Sequence, residues 1–349
     1  MALFALVDGN NFYVSCERVF RPSLKHWPVV VLSNNDGCCI ARSNEAKALN
    51  IKMGAPWFEV KYLNGSDGLV GLSANFTLYG DMSNRMMSIA TGLGPHQGVY
   101  SIDESFIDLA GVRGDLTARS REVRERILQW TGIPTGIGMG ATKTLAKLAN
   151  HIAKTAERKP GSYPAELAQV CNLAALPASD LDAVFAATAV AEVWGAGRRI
   201  AGQLEEGGIC TVLDLMRMDP ATVRRRRRWS VVLERIVREL QGLSCTALDE
   251  QPSPKKEIAC TRSFGRPVTN LEPLIEAVSG LPPGRPKSCA GRRALPARSW
   301  CLPTPRRTGQ GRAFRKAPWC RCVGRRRTRL VWCRPPCWAC VRSTSLDFS

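Results

Sequence analysis

Val99-Tyr100-Ser101-Ile102-Asp103-Glu104-Ser105-Phe106-Ile107-Asp108-Leu109 sets two adjacent acids between runs of alternating and β-branched residues. Those runs read as two short strands. Unpaired charges at the junction of buried strands cost several kcal/mol, so the acids need a reason to be there. One reason is Mg²⁺, which takes hard oxygen ligands and keeps positions open for phosphate. The other reading is two solvated acids in a hairpin turn. The stretch alone leaves both open.

Net charge is a poor guide to function here. The 349 residues carry 49 Lys+Arg against 30 Asp+Glu, a formal charge of +19. Residues 1–280 hold 32 Lys+Arg and 29 acids, a balance of +3, while residues 281–349 hold 17 against Asp347 alone and supply the other +16. A nucleic-acid reading must rest on where the first 280 residues place their charge. Cys16, Cys38, Cys39, Cys171, Cys210, Cys245 and Cys260 show no pairing pattern and no zinc spacing. The N-terminus has no basic n-region and its apolar run stops at Asp8, so neither a signal peptide nor a membrane span is expected. A reduced, cytoplasmic protein of two or three domains follows.

Residues 2–7 read as a buried strand closed by the turn Asp8-Gly9-Asn10-Asn11, and Phe12–Phe20 as a helix. Val29–Leu32 is a second buried strand, and helices are predicted over 44–50, 77–91 and 115–130, the last with Asp115 in its first turn. A strand over 134–139 precedes a helix over 141–157. On that helix Leu145, Leu148, Ala149 and Ile152 share one face, with Lys143, Lys147, Asn150 and Lys154 opposite. The polar row is either a solvated surface or, above a carboxylate site, a holder of phosphates. This order suggests an α+β layer with helices on one face of an antiparallel sheet.

Residues 165–243 read as helical without strand signals. Inside, 193–200 and 207–215 suggest two helices joined by a Gly-x-Gly turn whose free N–H groups suit phosphate. An ordinary helical corner with a glycine cap is the alternative. The basic run 224–228 favours the DNA-backbone reading. Residues 251–256 form a Pro/Lys linker, 257–265 begin a new strand, and 273–279 are helical. After residue 280 Arg, Pro, Cys, Trp and Gly dominate, and Tyr, Ile and Met are absent. A zinc module on Cys320, Cys322, Cys333, Cys337 and Cys340, a basic nucleic-acid tail, and translation out of frame from a GC-rich gene all remain open. The last explains the composition best and predicts no stable fold there.

Asp8, Asn11-Phe12-Tyr13, Ser101-Ile102-Asp103-Glu104, the Lys154 helix and Trp194-Gly195-Ala196-Gly197 together resemble a Y-family translesion DNA polymerase. Leu32-Ser33-Asn34-Asn35-Asp36-Gly37-Cys38, Glu45-Ala46-Lys47-Ala48-Leu49 and Val232-Leu233-Glu234-Arg235 are similar to the UmuC-type catalytic subunit of DNA polymerase V. The resemblance covers residues 1–279. It implies an α+β right hand: a ferredoxin-like palm at 1–13 and 78–158, small fingers at 14–77, and an all-helical thumb at 159–250 with a helix-hairpin-helix at 193–215. A linker and the start of a little finger follow at 251–280. The rest of that domain and the sliding-clamp motif are expected to be missing, replaced by an aberrant tail at 281–349.

The resemblance implies error-prone, template-directed nucleotidyl transfer in the SOS response. Asp8, Asp103, Glu104 and the Gly9 carbonyl would hold two Mg²⁺ ions ~4 Å apart, which activate the primer 3′-OH and stabilise the leaving pyrophosphate. The carboxylates can meet only if strand 2–7 lies beside strand 99–103. Tyr13 resembles the steric gate that clashes with a ribose 2′-OH, with Phe12 under the sugar. Asn44, Lys47 and Lys154 match triphosphate-binding positions, although many relatives carry tyrosine at that of Asn44. Gly195, Gly197, Arg198 and Arg199 match DNA-backbone contacts. Implied partners are primer-template DNA, dNTPs, a UmuD-type accessory protein and RecA, in a bacterial cytoplasm at the nucleoid. The alternative is a non-catalytic DNA-binding remnant.

Overall fold

The computed structural model describes residues 2–225 and 231–246, with Leu248, Glu272, Pro273 and Glu276. The linker, the strand expected at 257–265, the tail and most of the basic run 224–228 lie outside the described residues. All elements named below belong to Met1–Ile258, the first of two compact units. In order they are β1 (Phe4–Gly9), α1 (Phe12–Phe20), β2 (Val29–Leu32), β3 (Cys39–Arg42), α2 (Asn44–Ala48), α3 (Trp57–Val60), α4 (Leu63–Asp67), β4 (Val70–Ser73) and α5 (Phe76–Ala90). Then come β5 (His96–Val99), β6 (Glu104–Asp108), α6 (Leu116–Thr131), β7 (Thr135–Gly140), α7 (Lys143–Arg158) and β8 (Val170–Asn172). A helical stretch follows: α8 (Ala178–Ala186), α9 (Arg198–Glu205), α10 (Val212–Met216), α11 (Pro220–Arg225) and α12 (Val231–Leu240).

Five strands form one sheet in the order β5-β6-β1-β7-β8, and β2 sits between β3 and β4 in a small second sheet. Strand β1 is central because its residues are buried on both faces. On one side Ala5, Val7, Ile107, Ile137 and Met139 pack under α1, α5 and α6 through Phe12, Tyr79, Met86, Val123 and Ile127. Each fully buried Ile or Met contributes roughly 1.5–3 kcal/mol there.

The expectation of helices on one face only is corrected by α7, which covers the opposite face. Gly136, Gly138 and Gly140 point alternate positions of β7 at that helix. A Cβ at Gly138 would lie 2.1 Å from the Asn150 nitrogen and 2.3 Å from the Ala146 carbonyl oxygen. Three glycines at period two remove the side chains that would otherwise hold a helix about 10 Å from a sheet. Leu145, Leu148, Ala149 and Ile152 on the far side of α7 pack against Phe185, Leu204, Leu233 and Val237 of the helical stretch. The helix is therefore buried from both sides, and the solvated-surface reading fails: Asn150 is 3% exposed and Lys143 6%.

Three local expectations also change. Asp115 is the N-cap of α6, not a first-turn residue, and its carboxylate accepts from the Thr117 and Ala118 amides. Strand β8, in the stretch read as strandless, pairs in parallel with β7 at Ile137↔Val170. Within the hairpin predicted at 193–215, the helices are α9, which starts only at Arg198 after the Gly195–Gly197 turn, and α10 from Val212, so the Gly-x-Gly turn precedes the first helix and does not join the two. Cys16, Cys38, Cys39, Cys171, Cys210 and Cys245 are free thiols, as their spacing suggested. Among the described residues no helix is long and apolar enough to cross a membrane.

Candidate active site

Register brings the acids together. Strand β1 pairs antiparallel with β6 so that Asp8 faces Glu104, and with β7 so that Asp8 faces Gly136. The partner of β1 is thus β6, which begins at Glu104, and not 99–103 as the sequence suggested; His96–Val99 lies one strand further out. Asp103 precedes β6, where the Gly9 amide donates to its carbonyl at 2.9 Å. Its carboxylate accepts from the Ser101 hydroxyl at 2.6 Å. A Cβ on Gly9 would meet the Phe12 ring at 2.8 Å, so glycine lets the chain fold Phe12 back beneath the strand end. Asn11, left-handed at φ 48°, makes the turn into α1, a conformation that asparagine tolerates well.

The polar row of α7 lies over these carboxylates. Lys154 Nζ is 2.5 Å from Asp8 Oδ1, Asn150 Nδ2 donates to Asp8 Oδ2 at 2.9 Å, and Lys147 Nζ is 2.9 Å from Glu104 Oε2. Burial, and next the charge of Asp8, push the Glu104 carboxyl above the usual range; Lys147 opposes this and Asp103 adds to it. The side chains of Asp8 and Glu104 are only 14% and 16% exposed. Two carboxylates on facing strands, so poorly hydrated, create a demand for positive charge.

Among the described residues no three carboxylate, histidine or cysteine groups are drawn together tightly enough to hold a metal ion. The ammonium groups take up Asp8 and Glu104, and Ser101 takes up Asp103. The donor set nevertheless fits a hard divalent cation, being carboxylate oxygens together with an orphaned acceptor, the buried Asn150 Oδ1. That oxygen sits where a side chain at position 136 would project, 2.7 Å from a Cβ placed there.

A second cluster lies beside the first. Lys47 Nζ donates to Asn11 Oδ1 at 2.5 Å, and Asn11 Nδ2 donates to Asn44 Oδ1 at 3.0 Å. Burial, with the like charges of Arg158, Arg42 and Lys154, pushes the Lys47 ammonium down to about 8 against the pull of Asp8. Of these four basic groups Lys154 is paired with Asp8, and the like charge around Lys47 exceeds what that carboxylate offsets. Arg42 and Arg158 extend the set of site residues beyond those drawn from the sequence, whereas Lys147 and Asn150 belong to the polar row already visible there. Arg158 closes α7 one turn beyond Lys154, while Arg42 comes from β3, which only tertiary structure brings to that helix.

Tyr13 leans into the same space. Its ring stacks on Tyr79 at 4.4 Å between centroids and meets Phe76 edge-on at 6.0 Å. Tyr79 in turn donates its hydroxyl to buried Glu17 at 2.8 Å. Burial, then the charge of Asp103 and that of Cys16, raise the Tyr13 hydroxyl above the usual phenol range. Phe12 is buried against this group.

Gly195, Gly197, Arg198 and Arg199 are exposed at the start of α9, apart from the acids in sequence but joined to them by one ring. Gly195 takes φ +93°, and a Cβ there would lie 3.0 Å from Ile236. Gly197 caps α9 without a side chain, leaving first-turn N–H groups open to an anion. Trp194 meets Tyr100 at 5.6 Å and Phe106 at 6.1 Å between centroids.

In fold the structure is similar to solved Y-family DNA polymerases. The structure is similar to DinB from Sulfolobus solfataricus at a TM-score of 0.57 and 20% identity, covering 71% of this chain and 69% of that one. A Dbh DNA polymerase insertion ternary complex gives 0.57 and 21% over the same shares. More narrowly, residues 7–151 match the model of the impB/mucB/samB family. The chain is 47% identical to protein UmuC and 44% identical to protein SamB, both of Salmonella typhimurium, over 278 and 281 residues. Those alignments cover 79% of this chain and 63% of each relative, so the chain spans less than two thirds of their length.

Proposed function

We propose that the chain is a translesion DNA polymerase that adds deoxynucleotides to a primer on a damaged template. The observation that carries this reading is Asp8 facing Glu104 across β1 and β6, with the basic row of α7 above and Tyr13 beside them. Asp8, Asp103, Glu104 and the Gly9 carbonyl are the ligands proposed for two Mg²⁺ ions. Bound there, the ions would lower the pKa of the primer 3′-OH and stabilise charge on the leaving pyrophosphate.

The chain's own residues do the rest. Lys47, Lys154 and Asn44, with Arg42 and Arg158, bind and orient the triphosphate, relieving the repulsion that depresses Lys47. In this reading Lys154 and Lys147 exchange carboxylate partners for phosphate as substrate enters. Tyr13, braced by Tyr79, excludes a ribose 2′-OH by clash, and Phe12 supports the sugar. Gly195, Gly197, Arg198 and Arg199 hold the DNA backbone without reading bases. By relation to UmuC, we place the activity in the SOS response of a bacterial cytoplasm, with a UmuD-type protein and RecA as partners.

Primer extension by the full chain with Mg²⁺ and dNTPs tests the reading. Extension by the wild type, abolished in Asp103→Asn, supports it. DNA binding that weakens with salt but yields no extension would instead establish the non-catalytic remnant.

A further inference from the structure

Lys147 is held by more than its ion pair. Its ammonium lies 4.6 Å from the Tyr100 ring centre and 5.0 Å from that of Trp194, while bonded to Glu104 at 2.9 Å. Both distances fall within cation–π range. Tyr100 belongs to the hairpin that carries Asp103 and Glu104. Trp194 comes from the helical stretch, and its carbonyl carbon is bonded to Gly195. The two rings meet nearly perpendicular, at 85° and 5.6 Å between centroids, so the lysine is seated in a corner built by two different parts of the chain.

We infer that Trp194 is a positioning residue that couples the Gly195–Gly197 backbone loop to the nucleotide site through Lys147. The inference rests on the proposed function above for what binds at each end. A phosphate taken by the loop must act on the backbone to which Trp194 is fused, because Gly195 holds a φ of +93° and its space is limited by Ile236. Displacing that ring loosens one wall of the corner and changes how Lys147 divides its contacts between Glu104 and an incoming phosphate. Such coupling is reciprocal: nucleotide that draws Lys147 away alters the loop. A tryptophan needed only for packing would be adequately explained by its contact with Phe106, and would not require an ammonium against both rings.

Lysine acylation of the full chain by acetic anhydride, read by peptide mass spectrometry, tests this without catalysis. Trp194→Ala should raise Lys147 labelling about 3-fold and Trp194→Phe much less, because a smaller ring still caps the ammonium. Lys143 and Lys154 should keep their wild-type rates. Primer-template DNA without nucleotide should change Lys147 labelling in the wild type and leave it unchanged in Trp194→Ala. Equal rises at all three lysines, no rise at Lys147, or the same DNA response in both proteins would each overturn the inference. Incorporation kinetics add a second arm: Trp194→Ala raises KM for dNTP about 5-fold in the wild-type background, with no further effect in Lys147→Ala. Additive effects there also refute it. A wild type that extends no primer defeats the proposed function, while the labelling arm still decides whether Trp194 holds Lys147.

Discussion

Replacing Gly138 by alanine tests the claim that three glycines seat the site helix on the sheet. The new Cβ would lie 2.1 Å from the Asn150 nitrogen, 2.3 Å from the Ala146 carbonyl oxygen and 2.7 Å from the Ala149 carbonyl carbon. All three are backbone atoms in the middle of α7, so no side chain can swing aside. Reaching an ordinary contact near 3.4 Å requires the helix to move by more than an ångström. Overpacking of this kind costs about 1–3 kcal/mol, which at roughly 2–4 °C per kcal/mol lowers Tm by between about 2 and 12 °C. The same shift pulls Lys154 and Asn150 from Asp8, contacts of 2.5 and 2.9 Å, so activity should fall even at temperatures where the variant is folded. Gly136→Ala is the control. Its Cβ meets only side-chain atoms, Asn150 Oδ1 at 2.7 Å and Lys154 at 3.0 Å, so Tm should fall by less while the site is still disturbed. Circular dichroism melts and single-nucleotide incorporation read both effects. A Gly138→Ala protein melting within 1 °C of wild type would refute the packing argument.

Other outcomes follow from the same contacts. Tyr13→Ala should relax sugar discrimination by at least about 10-fold, measured as the ratio of dNTP to rNTP incorporation efficiency, and an unchanged ratio removes the gate assignment. Lys47, depressed to about 8, is charged below that pH and neutral above it, so KM for dNTP should climb above pH 8 in the wild type and stay flat in Lys47→Arg. Its unfolded form binds more protons between pH 8 and the ordinary lysine value, so Lys47→Met should raise Tm at pH 7 and lose that gain as pH rises through the window. Glu239, 3% exposed, accepts from the Thr144 amide and hydroxyl and from the Cys245 amide, fastening α12 to the start of α7. Glu239→Gln sets an amide donor against one of those donors and should cost about 1–3 kcal/mol in denaturant melts.

Much of this architecture was legible in the chain. The Phe12–Phe20 helix and the Val29–Leu32 strand are local signals bounded by turn residues and fall where the pattern placed them, while β1 is shifted by two residues, so that Asp8 and Gly9 are in the strand and not in the turn. The opposed faces of α7 were visible too, because a period of 3.6 needs no knowledge of the fold. What packs on those faces was not: burying a row of lysine and asparagine makes sense only once two strands bring carboxylates beneath it. Strand β8 has three residues and exists by parallel pairing with β7, a non-local event with no local signature. Asp103 and Glu104 were identified, but their geometric partner was placed on the wrong strand, since alternation alone does not specify register. Arg42 escaped notice because an isolated arginine carries no local signal, and Arg158 because the predicted helix stopped at 157; convergence on Lys47 distinguishes both.

The central claim is that Asp8 and Glu104, facing each other on adjacent strands, are parts of one nucleotidyl-transfer site. Single-turnover incorporation of a correct dNTP by Asp8→Asn tests it most directly, because asparagine keeps the size of the side chain and its bond to Asn150 while removing the charge. The account predicts a fall of about 1,000-fold, equivalent to about 4 kcal/mol, with primer-template affinity within about 3-fold of wild type. Incorporation within about 10-fold of wild type would contradict it.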